Sequence, residues 1–310
     1  MPQSPDAAPV AELIAVVKRR GRVTALDGIS LAFAPGEVTA LLGPNGAGKS
    51  TTVAMLTGRL SPDRGNVHLF AGSPQNPRMR SRMGVMLQQA GMPRGLRVAE
   101  QIDLFRGYYP APRTRAEAVA ASGLNGLEHR RCTALSGGEQ RRLQFALAIC
   151  GRPDFLVLDE PSAGMDVESR RGIWAAVRAE VARGAAILLT THQLDEAEAL
   201  ADRVVVIDRG RIIADGSPQS IKADAAASAL RCRSKLFDSA LAALTGVVSV
   251  VRDGGRVTLL TTRPQATVRE LIDLDPGLED LTLSAASLED AFTRLVDGAA
   301  APVPQLELVR

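Results

Sequence analysis

Cysteine is scarce in this chain of 310 residues, with Cys132, Cys150 and Cys232 far apart. Three thiols so spaced exclude a disulfide framework and a cysteine-built zinc site, and they fit a reduced compartment. Long apolar runs are missing as well. Bursts such as Phe155 to Leu158 and Ala185 to Leu189 are strand-sized, far short of the ~20 residues a membrane helix needs. Any work at a membrane therefore calls for spans on another chain. Met1 to Val10 is rich in Pro and Ala, carries Asp6, and lacks the basic start and apolar centre of a secretion signal. A surplus of one charge is also absent: 37 Lys and Arg stand against 34 Asp and Glu, for a net charge of +3. With no Lys/Arg run, no nucleic-acid partner is expected. What remains is 45% hydrophobic and 23% charged, enough for one large globular domain and a small one.

Short apolar bursts at Leu13–Val17, Ile29–Phe33 and Val38–Leu42 read as strands bounded by Gly, Pro or charge. A glycine-rich loop, Gly43 to Gly48, precedes a helix from Lys49 to about Gly58. Residues 97–149 read mainly as helices, with Val98, Ile102 and Phe105 on one face. Strand and helix then alternate over Phe155–Leu158, Val167–Ala182, Ala186–Thr190 and Leu194–Ala201, which implies a parallel sheet covered on both faces. Val204–Ile207 and Ile212–Ala214 flank Arg209-Gly210 and predict a hairpin. Gly216-Ser217-Pro218 marks a domain edge. Beyond it, strands at 228–232, 247–251, 256–261 and 279–284 with helices at 236–244, 266–274 and 287–296 give a βαββαβ order, the pattern of a ferredoxin-like fold. Residues 1–9 and 299–310 read as flexible tails.

Gly43-Pro44-Asn45-Gly46-Ala47-Gly48-Lys49-Ser50 fits the phosphate-loop pattern G-x-x-x-x-G-K-[ST]. Glycines let backbone N–H groups turn inward around a phosphate, and the following helix aims its positive end at the same anion. Lys18, Lys49, Lys222 and Lys235 are the only lysines, so one placed in this pattern is informative. In that pattern Lys49 can reach the β- and γ-phosphates of a nucleoside triphosphate, and the Ser50 hydroxyl can ligate Mg²⁺. The apolar strand Phe155–Leu158 runs into Asp159-Glu160. Asp159 at its carboxyl end suits Mg²⁺, and Glu160 suits orientation or deprotonation of a water.

Leu135-Ser136-Gly137-Gly138-Glu139-Gln140 caps a helix through Ser136, and a capped helix start with two glycines is itself an anion site. The segment, followed by Arg141-Arg142, resembles the signature of ABC ATPases. Three further motifs follow the family order: Met83 to Gln88 resembles the Q-loop, Ser162 to Asp166 the D-loop, and Thr190-Thr191-His192 the H-loop. His68 and His129 match no motif and read as structural, and Trp174 as core.

The resemblance covers roughly residues 11–220. It implies an α/β fold of the P-loop NTPase type: an ABC nucleotide-binding domain at 10–222 with an α/β core, an antiparallel β subdomain and a helical subdomain at about 90–150. A small α+β domain at 225–298 would follow. It implies ATP hydrolysis with Mg²⁺, with Gln88, Glu160 and His192 catalytic, and Ser50, Gln88 and Asp159 at the metal. ATP would be held by Gly43 to Ser50 and Thr51, and by Ser136, Gly137, Gly138 and Glu139 of a second copy, with Asp166 at the dimer contact. It further implies an ATP-sandwich homodimer, a separate integral membrane permease, and a peripheral place on the cytoplasmic side of the membrane. Family members usually stack an aromatic on adenine; here Lys18-Arg19-Arg20-Gly21 puts Arg20 at that position. Ser287-Leu288-Glu289-Asp290-Ala291-Phe292 resembles the closing motif of the daunorubicin-resistance-type export ATPases, which implies a drug-like or lipid-like cargo. The competing reading is a soluble ABC ATPase acting on ribosomes or nucleic acid. A single P-loop and signature, and the short stretch from Ser50 to Leu135, count against it.

Overall fold

Two long antiparallel strands, Ala11–Arg20 (β1) and Val23–Phe33 (β2), open the fold. The computed structural model describes residues 8–88, 91, 93, 95–224, 228–285 and 287–300. After β2 come Val38–Leu42 (β3), Lys49–Leu56 (α1), Arg64–Leu69 (β4), Pro77–Arg80 (α2) and Met83–Met86 (β5). Helices Val98–Arg106 (α3), Arg115–Ala121 (α4) and Gly137–Ile149 (α5) follow. The chain continues through Phe155–Asp159 (β6), Val167–Ala182 (α6), Ala186–Thr190 (β7), Leu194–Leu200 (α7), Arg203–Asp208 (β8) and Arg211–Gly216 (β9). It divides into two units between Ile212 and Ile213.

In the first unit, β2-β1-β4 form an antiparallel sheet and β5-β6-β7-β3-β8-β9 a second sheet, parallel from β5 through β8. The alternation of side chains builds the core. Phe155, Val157 and Leu188 join Leu13, Val16, Leu26 and Phe33 in one cluster, while Leu156, Leu158, Ile187 and Leu189 join Ile149, Ile173 and Val177 in another. The parallel strands are covered on both faces, which explains their unbroken apolar runs. Arg209 and Gly210, at φ 45° and 77°, make the tight turn between β8 and β9 that the primed hairpin types require. Helix α1 stops at Leu56, short of Gly58, because Gly58 takes φ 70°.

Helices α3 to α5 close on a cluster of their own, with Val98, Ile102, Ala118, Leu124, Leu143 and Ala146 buried and Phe105 packed against them. Phe145, Ala148 and Ile149 carry α5 into the larger core, and a polar link joins the two as well. Arg113, just before α4, donates to Ile149 O at 3.0 Å and to Glu180 of α6 at 2.5 Å, and both side chains are buried.

The second unit contains Pro218–Asp224 (α8), Ser228–Arg233 (β10), Asp238–Ala242 (α9), Val247–Asp253 (β11), Arg256–Thr261 (β12), Pro264–Leu274 (α10), Glu279–Ala285 (β13) and Leu288–Ala300 (α11). Its sheet order is β11-β12-β10-β13, antiparallel throughout. Each βαβ unit is thus split by a strand between its two strands. Leu230, Cys232, Val257 and Leu259 pack with Leu241 of α9, Leu271 of α10 and Leu244 just past α9. Helix α9 is shorter than 236–244: Leu236 N–H turns to Ser234 Oγ, and the chain leaves at Gly246, φ 85°. Helix α11 continues to Ala300, so the segment from 299 begins as helix; residues 1–7 and 301–310 lie outside the described residues.

Candidate active site

Strand β3 delivers the chain into the glycine loop, and Gly48 stands at the entry of α1 with φ 119°. A Cβ there would sit 2.6 Å from Ala25 O, so no larger residue keeps the loop in this path. Lys49 curls back over the loop, its Nζ donating to Gly43 O at 2.5 Å and Pro44 O at 3.0 Å. Burial pulls the Lys49 ammonium below the usual lysine range, while the nearby Glu160 and Asp159 carboxylates push the other way.

The sheet order β5-β6-β7 sets the chemistry side by side, because parallel strands present their carboxyl ends together. Gln88 lies two residues past β5, Asp159 ends β6, and Thr190 and His192 lie at and beyond the end of β7. Thr190 grips both acidic residues: its Oγ1 donates to the Asp159 carboxylate, and its carbonyl accepts the Glu160 N–H at 2.8 Å. Glu160 has φ 52°, a left-handed conformation that costs a non-glycine residue free energy. Its carboxylate accepts from Gln88 Nε2 at 2.9 Å on one oxygen and faces His192 Nδ1 at 3.1 Å on the other.

These groups border a cavity of about 420 Å³, lined by Arg20, Val23 and Ala25, by Asn45, Gly46 and Gly48 with Lys49, Ser50 and Thr51, and by Gln88, Asp159 and Glu160. Arg20, picked out by position alone, does reach this cavity. Val23 and Ala25 were not foreseen, since nothing in their local pattern separates them from other strand residues. His192 joins the group through Glu160.

Ser50, Gln88 and Asp159 offer oxygen donors on one cavity. Among the described residues no group of three or more His, Cys, Asp or Glu could hold a metal by itself. A sparse oxygen set of this kind suits Mg²⁺, which keeps several waters and takes further oxygens from phosphate.

Ser136 lies elsewhere. It is the N-cap of α5, its Oγ accepting the Glu139 N–H at 3.3 Å while Glu139 accepts the Ser136 N–H at 2.7 Å. The Ser136 N–H holds the Glu139 carboxyl below its usual range. Asp166 likewise caps α6, accepting from Ser169 N at 2.8 Å and Ser169 Oγ at 2.9 Å. Among the described residues, neither Ser136–Glu139 nor Asp166 lines the cavity beside Lys49.

The profile of the family described as "ABC transporter" matches residues 26–163. The daunorubicin/doxorubicin resistance ATP-binding protein DrrA of Streptomyces peucetius is 36% identical over 302 residues, covering 92% of this chain and 91% of that protein. The Nod factor export ATP-binding protein I of Paraburkholderia xenovorans is 40% identical over 224 residues, 70% of this chain and 73% of that protein. Among solved structures, the ADP conformation of MJ1267, an ATP-binding cassette of an ABC transporter, is 26% identical with a TM-score of 0.60, covering 69% of this chain and 93% of that one. No helix among the described residues is long and apolar enough to cross a membrane.

Proposed function

The chain belongs to the ABC transporter family of ATP-hydrolysing proteins, and on that premise we propose that it is the ATPase subunit of an exporter whose membrane-spanning part is a separate chain. The observation that carries the hydrolytic role is the Glu160 carboxylate, held between Gln88 and His192 at the rim of the Lys49 cavity.

In this reading the loop from Gly43 to Ser50, through those N–H groups that Pro44 and the internal Ala47–Pro44 bond do not remove, and the start of α1, extended by Thr51, take the β- and γ-phosphates of ATP. Lys49 supplies the charge that offsets them, and its Nζ exchanges loop carbonyls for phosphate oxygens. Arg20 lies toward the base. Ser50 and Asp159, with Gln88 beside them, would hold Mg²⁺, which when bound screens the phosphate charge. Glu160 orients the water that attacks the γ-phosphorus and accepts its proton as the bond to the ADP oxygen breaks. Gln88 and His192 fix the Glu160 rotamer, so that little of the carboxylate's reorganisation is left to the reaction.

Within the capping box of Ser136 and Glu139, Gly137 and Gly138 open α5 with amides that have no partner inside the helix. Their distance from the cavity of the same chain supports a homodimer in which each copy covers ATP on the other, with Asp166 at the contact. Likeness to a daunorubicin/doxorubicin resistance protein across both units, and to a Nod factor export protein over 70% of the chain, favours export of a drug-like or lipid-like cargo. The protein then sits peripherally on the cytoplasmic side of the membrane.

The test is co-purification. Tagged Glu160→Gln protein, solubilised gently from its own cells with ATP present, should bring down a polytopic membrane protein. Ribosomes or DNA without any membrane protein would overturn the transporter role and leave the ATPase standing.

A further inference from the structure

Arg141 lies on α5, one turn beyond the Ser136 cap, and its side chain turns inward. Its Nη1 donates to Leu87 O at 3.3 Å and to Gln144 Oε1 at 3.1 Å. Leu87 is the residue immediately before Gln88, whose amide donates to Glu160. One guanidinium therefore stands one peptide unit from the group that holds the Glu160 carboxylate. Its charge also feels the Asp159 and Glu160 carboxylates, which act against the effect of its own burial. A half-buried arginine costs desolvation, and an uncharged side chain of similar length could brace a helix against a strand end. A cation placed here has electrostatic partners in those two carboxylates.

We infer that Arg141 is a positioning residue for hydrolysis: it ties the helix that begins at Ser136 to the start of the Gln88 loop and so sets where Gln88 meets Glu160. The inference rests on the ATPase reading of this site. It gives α5 a second task besides presenting its capped start. A displacement of that helix moves Arg141, Arg141 moves the Leu87 carbonyl, and Gln88 gains or loses its grip on Glu160. The state of the Ser136 end is thereby reported to the hydrolytic end within one chain. Arg142, the next residue, is turned away to Gly123 O at 3.0 Å, so the two adjacent arginines do different work.

The experiment compares the full-length wild type with Arg141→Gln, Arg141→Lys, Gln88→Ala and the Arg141→Gln/Gln88→Ala double variant, measuring ATP turnover and the KM for Mg-ATP. Arg141→Gln should lower kcat about ten-fold, the scale of one charge-assisted hydrogen bond, with KM changed by less than about two-fold. Arg141→Lys, which keeps the charge and one donor, should recover part of that loss. Because Arg141 acts through the loop, its effect should vanish once Gln88 is already alanine. A kcat for Arg141→Gln within about two-fold of wild type would overturn the inference. So would losses that add in the double variant, or a fall in kcat matched by a rise in KM. If Arg141→Gln does not fold, Arg141→Lys decides alone: a kcat below wild type at unchanged KM upholds the inference, and wild-type kcat overturns it. Absence of ATP turnover in the wild type would instead sink the ATPase reading itself.

Discussion

Gln88 and Glu160 stand 72 positions apart in the chain, and the amide of one donates to the carboxylate of the other at 2.9 Å. The pairing of β5 with β6 brings them together, Met86 lying beside Leu158 in register. His192 reaches the second oxygen of the same carboxylate from beyond β7. Three neighbouring parallel strands thus converge on one acid.

Thr190 holds Asp159 by its hydroxyl and Glu160 by its carbonyl. Thr190→Val keeps the buried shape and the carbonyl but removes the hydroxyl donor. The half-saturating Mg²⁺ concentration for turnover should rise about ten-fold, the scale of one hydrogen bond to a charged group, while Thr190→Ser should stay close to wild type. A Mg²⁺ titration of ATP turnover checks both.

Arg20 lines the cavity proposed for the nucleotide beside Val23, with no aromatic residue among the described residues that line it. A guanidinium plane stacks on a base but is better hydrated than a ring. The wild type should therefore bind ATP and GTP with similar affinity. Arg20→Tyr should tilt the ratio toward ATP by several-fold, in keeping with about 0.5–1.5 kcal/mol for an aromatic stack. Competition of ATP and GTP for one fluorescent nucleotide measures the ratio. A clear preference in the wild type that Arg20→Tyr leaves unchanged would remove Arg20 from the base site.

The phosphate loop and the Asp159-Glu160 pair were legible because each is local: a strand, a turn and a helix start carry all their information within a few residues. The alternation of strands and helices from Phe155 onward was equally plain, since strands buried on both faces are apolar at every position. Strand β4 escaped notice. Its sequence, Arg64 to Leu69, contains Arg64, Asn66 and His68, and its pairing with β1 decides that it is a strand. Strand β1 runs on through Lys18, Arg19 and Arg20 for the same reason: its partner β2 supplies the hydrogen bonds, while Lys18 pairs with Asp63 and the two arginines are exposed. Contacts across long separations were the least visible. Thr190 appeared only as part of a motif, and nothing in its neighbourhood announced that its hydroxyl would meet Asp159.

Arg113 and Glu180 form such a contact, joining the segment before α4 to α6 across 67 positions. Both are buried, and Arg113 also holds Ile149 O at 3.0 Å. Glu180→Ala leaves a guanidinium in the interior without its counter-charge. Denaturant unfolding should show a loss of about 3–5 kcal/mol in the first unit. A loss below about 1 kcal/mol, the range of exposed pairs, would mean that water reaches Arg113.

The most direct test of the account is Glu160→Gln, measured for ATP hydrolysis and ATP binding side by side. The substitution keeps the size of the side chain and removes the group that takes the proton. Hydrolysis should fall by roughly 10²–10⁴-fold with ATP binding retained, whereas Lys49→Ala should lose binding as its charge-assisted hydrogen bonds to phosphate, about 1.5–3 kcal/mol each, disappear. Normal turnover by the Glu160 variant would contradict the role given to this carboxylate and to the Gln88 and His192 side chains that hold it.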